Sequence, residues 1–72
     1  MEITQIKRFL NQRVFYLLAD DLEHEYIFSA CTLRLVEGEY KYYANLLDTK
    51  SRSSEMVVEL KDVIAKEMML SE

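Results

Sequence analysis

Tyr26-Ile27-Phe28-Ser29-Ala30-Cys31-Thr32-Leu33-Arg34-Leu35-Val36, then Glu37-Gly38, then Glu39-Tyr40-Lys41-Tyr42-Tyr43-Ala44-Asn45-Leu46-Leu47, is the stretch that decides the fold. Its two arms are rich in aromatic and β-branched residues, which pack well on a pleated surface. Between them stands Gly38, the one glycine of a chain that has no proline. Glycine adopts the positive φ that a tight hairpin turn demands. With a two-residue loop, Val36 opposes Glu39, Leu35 opposes Tyr40, Leu33 opposes Tyr42 and Cys31 opposes Ala44. The pleat sends alternate side chains to opposite faces. One face then carries Ile27, Cys31, Leu33, Leu35, Tyr40, Tyr42, Ala44 and Leu46. The other carries Tyr26, Phe28, Thr32, Arg34, Lys41, Tyr43, Asn45 and Leu47.

Upstream, Ile3, Ile6 and Leu10 follow helical spacing, with Phe9 widening the stripe and polar residues between. Arg13 to Leu18 then favours a strand, and extension of the first helix to Ala19 competes with it. Asp20 to Glu25 reads as a polar turn. Downstream, Asp48 to Ser54 is a polar loop. Met56 to Lys61 alternates like a strand with Met56, Val58 and Leu60 inward, and a helix from Ser54 is its rival. Asp62 is a good N-cap for a final helix over Val63 to Leu70. The predicted fold is α+β: one small domain over residues 1–72, with three to four antiparallel strands around the 26–47 hairpin. An N-terminal and a C-terminal helix are predicted to cover the Leu33/Tyr42 face.

Composition bounds the function. The chain has 72 residues, half of them hydrophobic and 31% charged, which suits a globular domain. At this length roughly 60% of the unfolded surface is buried, leaving a few kcal/mol of net stability. Small folds usually add disulfides, a metal or a partner. One cysteine and one histidine make the first two poor options, so a homo-oligomer or another protein partner is expected. No cofactor is expected. The N-terminus carries an acid where a signal peptide would carry positive charge, and no apolar run reaches membrane-spanning length, so a cytoplasmic, soluble protein with no membrane contact is expected. The net charge of −4 opposes direct binding of nucleic acid. The size and make-up suit the small accessory proteins of bacterial genomes and mobile elements.

No residues combine into a catalytic constellation. Cys31 sits within an apolar strand, where a thiol behaves as a small hydrophobe. His24 lies among Asp20, Asp21, Glu23 and Glu25. A cation or proton site is conceivable there, but the spacing and bending glycine of a calcium loop are missing, and a solvated turn is the simpler reading. No GxGxxG, Walker or HExxH pattern occurs, and the chain is too short to fold a cleft around scattered acids. The chain is therefore read as non-enzymatic. The leading expectation is an interaction module using an outer-face patch of Phe28, Tyr43, Leu47 and Val57, rimmed by Arg34 and Lys41. The first alternative is an acidic inhibitor of a nucleic-acid-processing protein, from a mobile-element or defence setting, acting through Asp20, Asp21, Glu23 and Glu25. The second is a nucleotide or single-strand binder that stacks bases on the hairpin tyrosines.

Overall fold

The computed structural model describes residues 1–51 and 53–66. The hairpin forms in the expected register. Strand β2 (Glu23–Val36) and strand β3 (Glu39–Asp48) pair Val36 with Glu39, Leu33 with Tyr42 and Cys31 with Ala44. Glu37 and Gly38 both have positive φ, 51° and 83°. That combination matches the right-handed strand twist in a two-residue turn.

One residue breaks the strict alternation. Phe28 pairs with Leu46 and Ala30 with Asn45, so Ser29 is the extra residue of a β-bulge. The side-chain period is two, so the insertion reverses the faces on its N-terminal side. Tyr26 and Phe28 therefore join Cys31 and Leu33 on the inner face, and Ile27 moves to the outer one. This corrects the placement of Phe28 in an exposed outer patch: the ring is fully buried.

The remaining strands extend the sheet on both sides. Strand β1 (Arg13–Leu17) pairs with β2 from Leu17↔Glu23 to Arg13↔Ile27. The polar turn is consequently shorter than expected, and Glu23, His24 and Glu25 belong to β2. Asp21 takes a φ of 63° in this turn, which a short polar side chain tolerates. Strand β4 (Glu55–Glu59) pairs with β3 and turns Met56 and Val58 inward. A two-residue strand β5 (Val63–Ile64) pairs with the far edge of β1. The result is one antiparallel sheet of order β4-β3-β2-β1-β5.

Helix is scarcer than expected. A 3-10 turn, Ile3–Gln5, leads into α1 (Ile6–Phe9). Asn11, at φ 67°, ends the helical segment, and the chain passes directly into the sheet. The Asn11 amide donates to Phe28 O at 2.6 Å and the Phe28 amide to Gln12 O at 3.0 Å. The C-terminal helix is corrected over its described part. Leu60–Asp62 form a 3-10 turn and Val63 and Ile64 are strand. Both are β-branched and the edge of β1 offers them backbone partners, which outweighs the capping potential of Asp62. Residues 67–70 of the expected helix lie outside the described residues. The described residues are thus mostly sheet, with one short N-terminal helix.

The core is Phe9, Val14, Phe28, Ala44, Leu46, Leu60 and Val63. The helical segment, the Leu60 turn and the sheet's inner face supply it. The Met1 ammonium donates to the carbonyls of Leu60 and Val63, which ties the two ends of the described chain together. Desolvation there lowers its pKa.

Candidate functional site

The inner face of the hairpin is covered along only part of its length. A four-residue α-helix rises about 6 Å, whereas ten strand residues span about 34 Å. Phe9 and Leu60 pack with Phe28, Ala44 and Leu46, and Cys31 and Tyr42 lie half-buried at the margin of this cluster. Beyond them the hairpin continues as a two-stranded arm. There Leu33, Leu35 and Tyr40 are 51%, 63% and 70% exposed on one face. They stand in adjacent rows, Leu33 beside Tyr42 and Leu35 beside Tyr40. Of the two helices expected over the Leu33/Tyr42 face, only the short N-terminal one forms among the described residues, and the arm is left uncovered.

The outer face has a different character. Arg34 and Lys41 lie opposite each other on it, and Tyr43, Leu47 and Val57 share that face. Ile27, paired with Leu47, occupies the place expected for Phe28. Polar groups lace this surface. The Arg34 guanidinium sits 5.1 Å from the Tyr43 ring centroid, and the Lys66 ammonium 4.7 Å from that of Phe15. Asn45 accepts from Thr32 Oγ1 at 3.3 Å and donates to Glu55 Oε2 at 3.3 Å. Its carbonyl accepts from Ser29 Oγ at 3.1 Å. Val57 is 45% exposed, but its neighbour across the ladder is this same Asn45. The outer-face patch is interrupted by hydrogen-bonded and charged groups. The uninterrupted apolar surface is the inner face of the arm.

The acidic cluster is largely engaged within the chain. Asp20 Oδ1 accepts from the Leu22 amide at 2.9 Å and Oδ2 meets His24 Nε2 at 2.9 Å. Glu25 pairs with Arg13 at 3.1 Å, and Glu23 accepts from Lys66. The Leu22 amide, then the His24 ring, hold the Asp20 carboxyl below its ordinary value. A carboxylate whose folded pKa is depressed adds stability above its unfolded pKa, and that stability is lost as pH falls through the folded value. Asp20→Ala is therefore expected to lower stability near neutrality and to flatten its fall below about pH 4. Urea denaturation of both proteins across that range measures this.

Cys31 is half-buried on the inner face, and desolvation raises its thiol pKa. The site's tyrosines divide by face: Tyr40 and Tyr42 inward, Tyr43 outward with Arg34 and Lys41. The rings best placed to stack a base thus point away from the nearest cations. A cavity of about 580 Å³ lies along β1 near Phe15, Ile27, Arg13 and Glu25. Among the described residues no three His, Cys, Asp or Glu side chains are grouped to hold a metal ion. No described helix is long and apolar enough to cross a membrane.

The sequence does not reveal the exposed arm, because exposure depends on how far the covering segment reaches, and the apolar spacing of Ile3, Ile6 and Leu10 implies a longer helix than forms. The available signal was Asn11-Gln12, two polar residues just before the strand-forming run. No protein-family model, curated protein or solved structure matches the chain. Fold and site define a class: a small, mostly antiparallel sheet domain that projects a two-stranded arm with one apolar face.

Proposed function

We propose that this chain is a non-enzymatic interaction module that engages protein through the apolar-aromatic face of its β2/β3 arm. The observation that carries this reading is the adjacency of exposed Leu33, Leu35 and Tyr40 beyond the cover of the body. Monomers rarely leave a contiguous apolar surface bare, and an aromatic beside branched aliphatics is an anchor composition. The two expected roles of the sheet, self-association and binding of another protein, both remain within this proposal. Only its surface moves, from the outer patch to the inner face of the arm. A lone thiol suits a reducing, cytoplasmic setting.

Photo-crosslinking in the native host tests it. A benzophenone amino acid replacing Leu35 is expected to give protein adducts, whether to this chain or to another protein. The same probe replacing Lys61, on the Leu60 turn, is expected to give few. Equal yields at both positions, or none at the arm, would contradict the proposal.

A further inference from the structure

We propose that the free edge of β2, residues 30–36, pairs antiparallel with the same edge of a second copy of this chain, about a two-fold axis through Leu33. This rests on the arm being an interaction element and names its partner.

The backbone makes the case first. Strand β1 pairs with β2 only as far as Ile27, and Asn11 and Gln12 take the backbone groups of Phe28. From Ala30 to Val36, β2 is paired on its β3 side alone among the described residues. Val36 and Glu39 close a two-residue turn, so they exchange both backbone hydrogen bonds. By alternation Arg34 and Thr32 also bond to β3. Cys31, Leu33 and Leu35 therefore point their amides and carbonyls to the open edge. Such an edge is normally guarded by proline, lysine, a bulge or an inward charge. None of these stands between Ala30 and Val36. The one charge there is Arg34, on the outer face, and the bulge lies at Ser29, at the body end.

Side chains then select the register. The inner faces of both copies must lie on one side, so facing residue numbers sum to an even value. A centre at Arg34 would set two guanidiniums directly opposite each other. A centre at Thr32 would place Val36 against Phe28, whose edge is already taken by Asn11 and Gln12. A centre at Leu33 sets Leu33 against Leu33, Leu35 against Cys31, Arg34 against Thr32 and Val36 against Ala30. The two free stretches then coincide end to end. All three edge-directed residues fall in hydrogen-bonded pairs. The inner-face rows merge into one apolar strip, Tyr42–Leu33–Leu33–Tyr42 across the axis. Charge also fits: the acidic tip residue Glu37 of each copy comes beside the corner of the other that carries the largely exposed Arg13.

Sedimentation velocity from about 10 μM to about 1 mM is expected to show a monomer–dimer equilibrium. Leu33→Lys would set two ammonium groups face to face at the axis, and is expected to weaken the dimer by about 30-fold or more. A second measurement does not depend on how that variant folds. In a Cys31→Ser background, Leu33→Cys is expected to form an intermolecular disulfide under mild oxidation, because facing Cα atoms in such a pair are about 5.5 Å apart. Arg34→Cys in the same background is expected to resist it. A monomer throughout the concentration range, or a dimer in which Leu33→Cys does not cross-link selectively, overturns self-pairing. Arm-directed photo-adducts to another protein would then leave the interaction reading standing. Absence of any arm adduct would remove both.

Discussion

Phe28→Ala is expected to unfold the domain, while Ile27→Ala, one residue away, is expected to be tolerated. Phe28 is fully buried between Val14, Leu46 and the helical segment, at the centre of the core. Truncating a buried phenylalanine costs about 3–5 kcal/mol, through lost transfer energy and the cavity left behind. A domain of this size has about that much stability in total. Ile27 packs on the outer face against Leu47 and keeps water contact. Its truncation is expected to cost about 1 kcal/mol. Without the bulge the order would invert, because Ile27 would then face the core and Phe28 the solvent. Urea denaturation followed by far-UV circular dichroism separates the two cases.

Deleting Ser29, by contrast, is expected to leave the domain folded. The deletion makes Phe28 and Ala30 chain neighbours, so β2 becomes a regular strand that keeps the pairs Phe28↔Leu46, Ala30↔Asn45 and Cys31↔Ala44. Phe28 and Cys31 then both face inward and Ile27 outward, as they do with the bulge. What is lost is the local bend and the hydroxyl bond to the Asn45 carbonyl. Ser29→Ala keeps the inserted residue and loses only that bond, about 1 kcal/mol. Deleting Ile27 instead keeps the bulge but turns Tyr26 outward and Glu25 toward Val14, and is expected to abolish the cooperative denaturation transition. A Ser29 deletion that fails to fold, or an Ile27 deletion that unfolds cooperatively near the parent midpoint, would contradict the role given to the bulge.

These two residues also show where the sequence is legible and where it is not. The hairpin register follows from Gly38, because the turn length fixes every pair up to Ala30. Ser29 has no local mark that sets it apart. Its role as an inserted residue emerges only when β1 and the Asn11 corner compete with β3 for the backbone of β2. Strict alternation therefore puts Phe28 on the wrong face, although Arg34, Lys41, Tyr43, Leu47 and Val57 lie on the face that the pleat gives them. The C-terminal helix failed for a similar reason. Asp62 is a sound cap in isolation, but the free edge of β1 is a tertiary feature that recruits Val63 and Ile64. At the N-terminus, the spacing of Ile3, Ile6 and Leu10 is helical, yet Leu10 already leaves the helix. That early exit uncovers the arm and creates the candidate site.

Under the proposed self-pairing, the arm edge is open in the single chain and closed by a second copy. Amide hydrogen exchange of Cys31, Leu33 and Leu35, read by NMR at low and high protein concentration, tests it most directly. Thr32, Arg34 and Val36 should be protected at both concentrations, since β3 holds them. Cys31, Leu33 and Leu35 should exchange fast when dilute and become protected when concentrated. Fast exchange of these three at every concentration, or equal protection of all six residues when dilute, would contradict it.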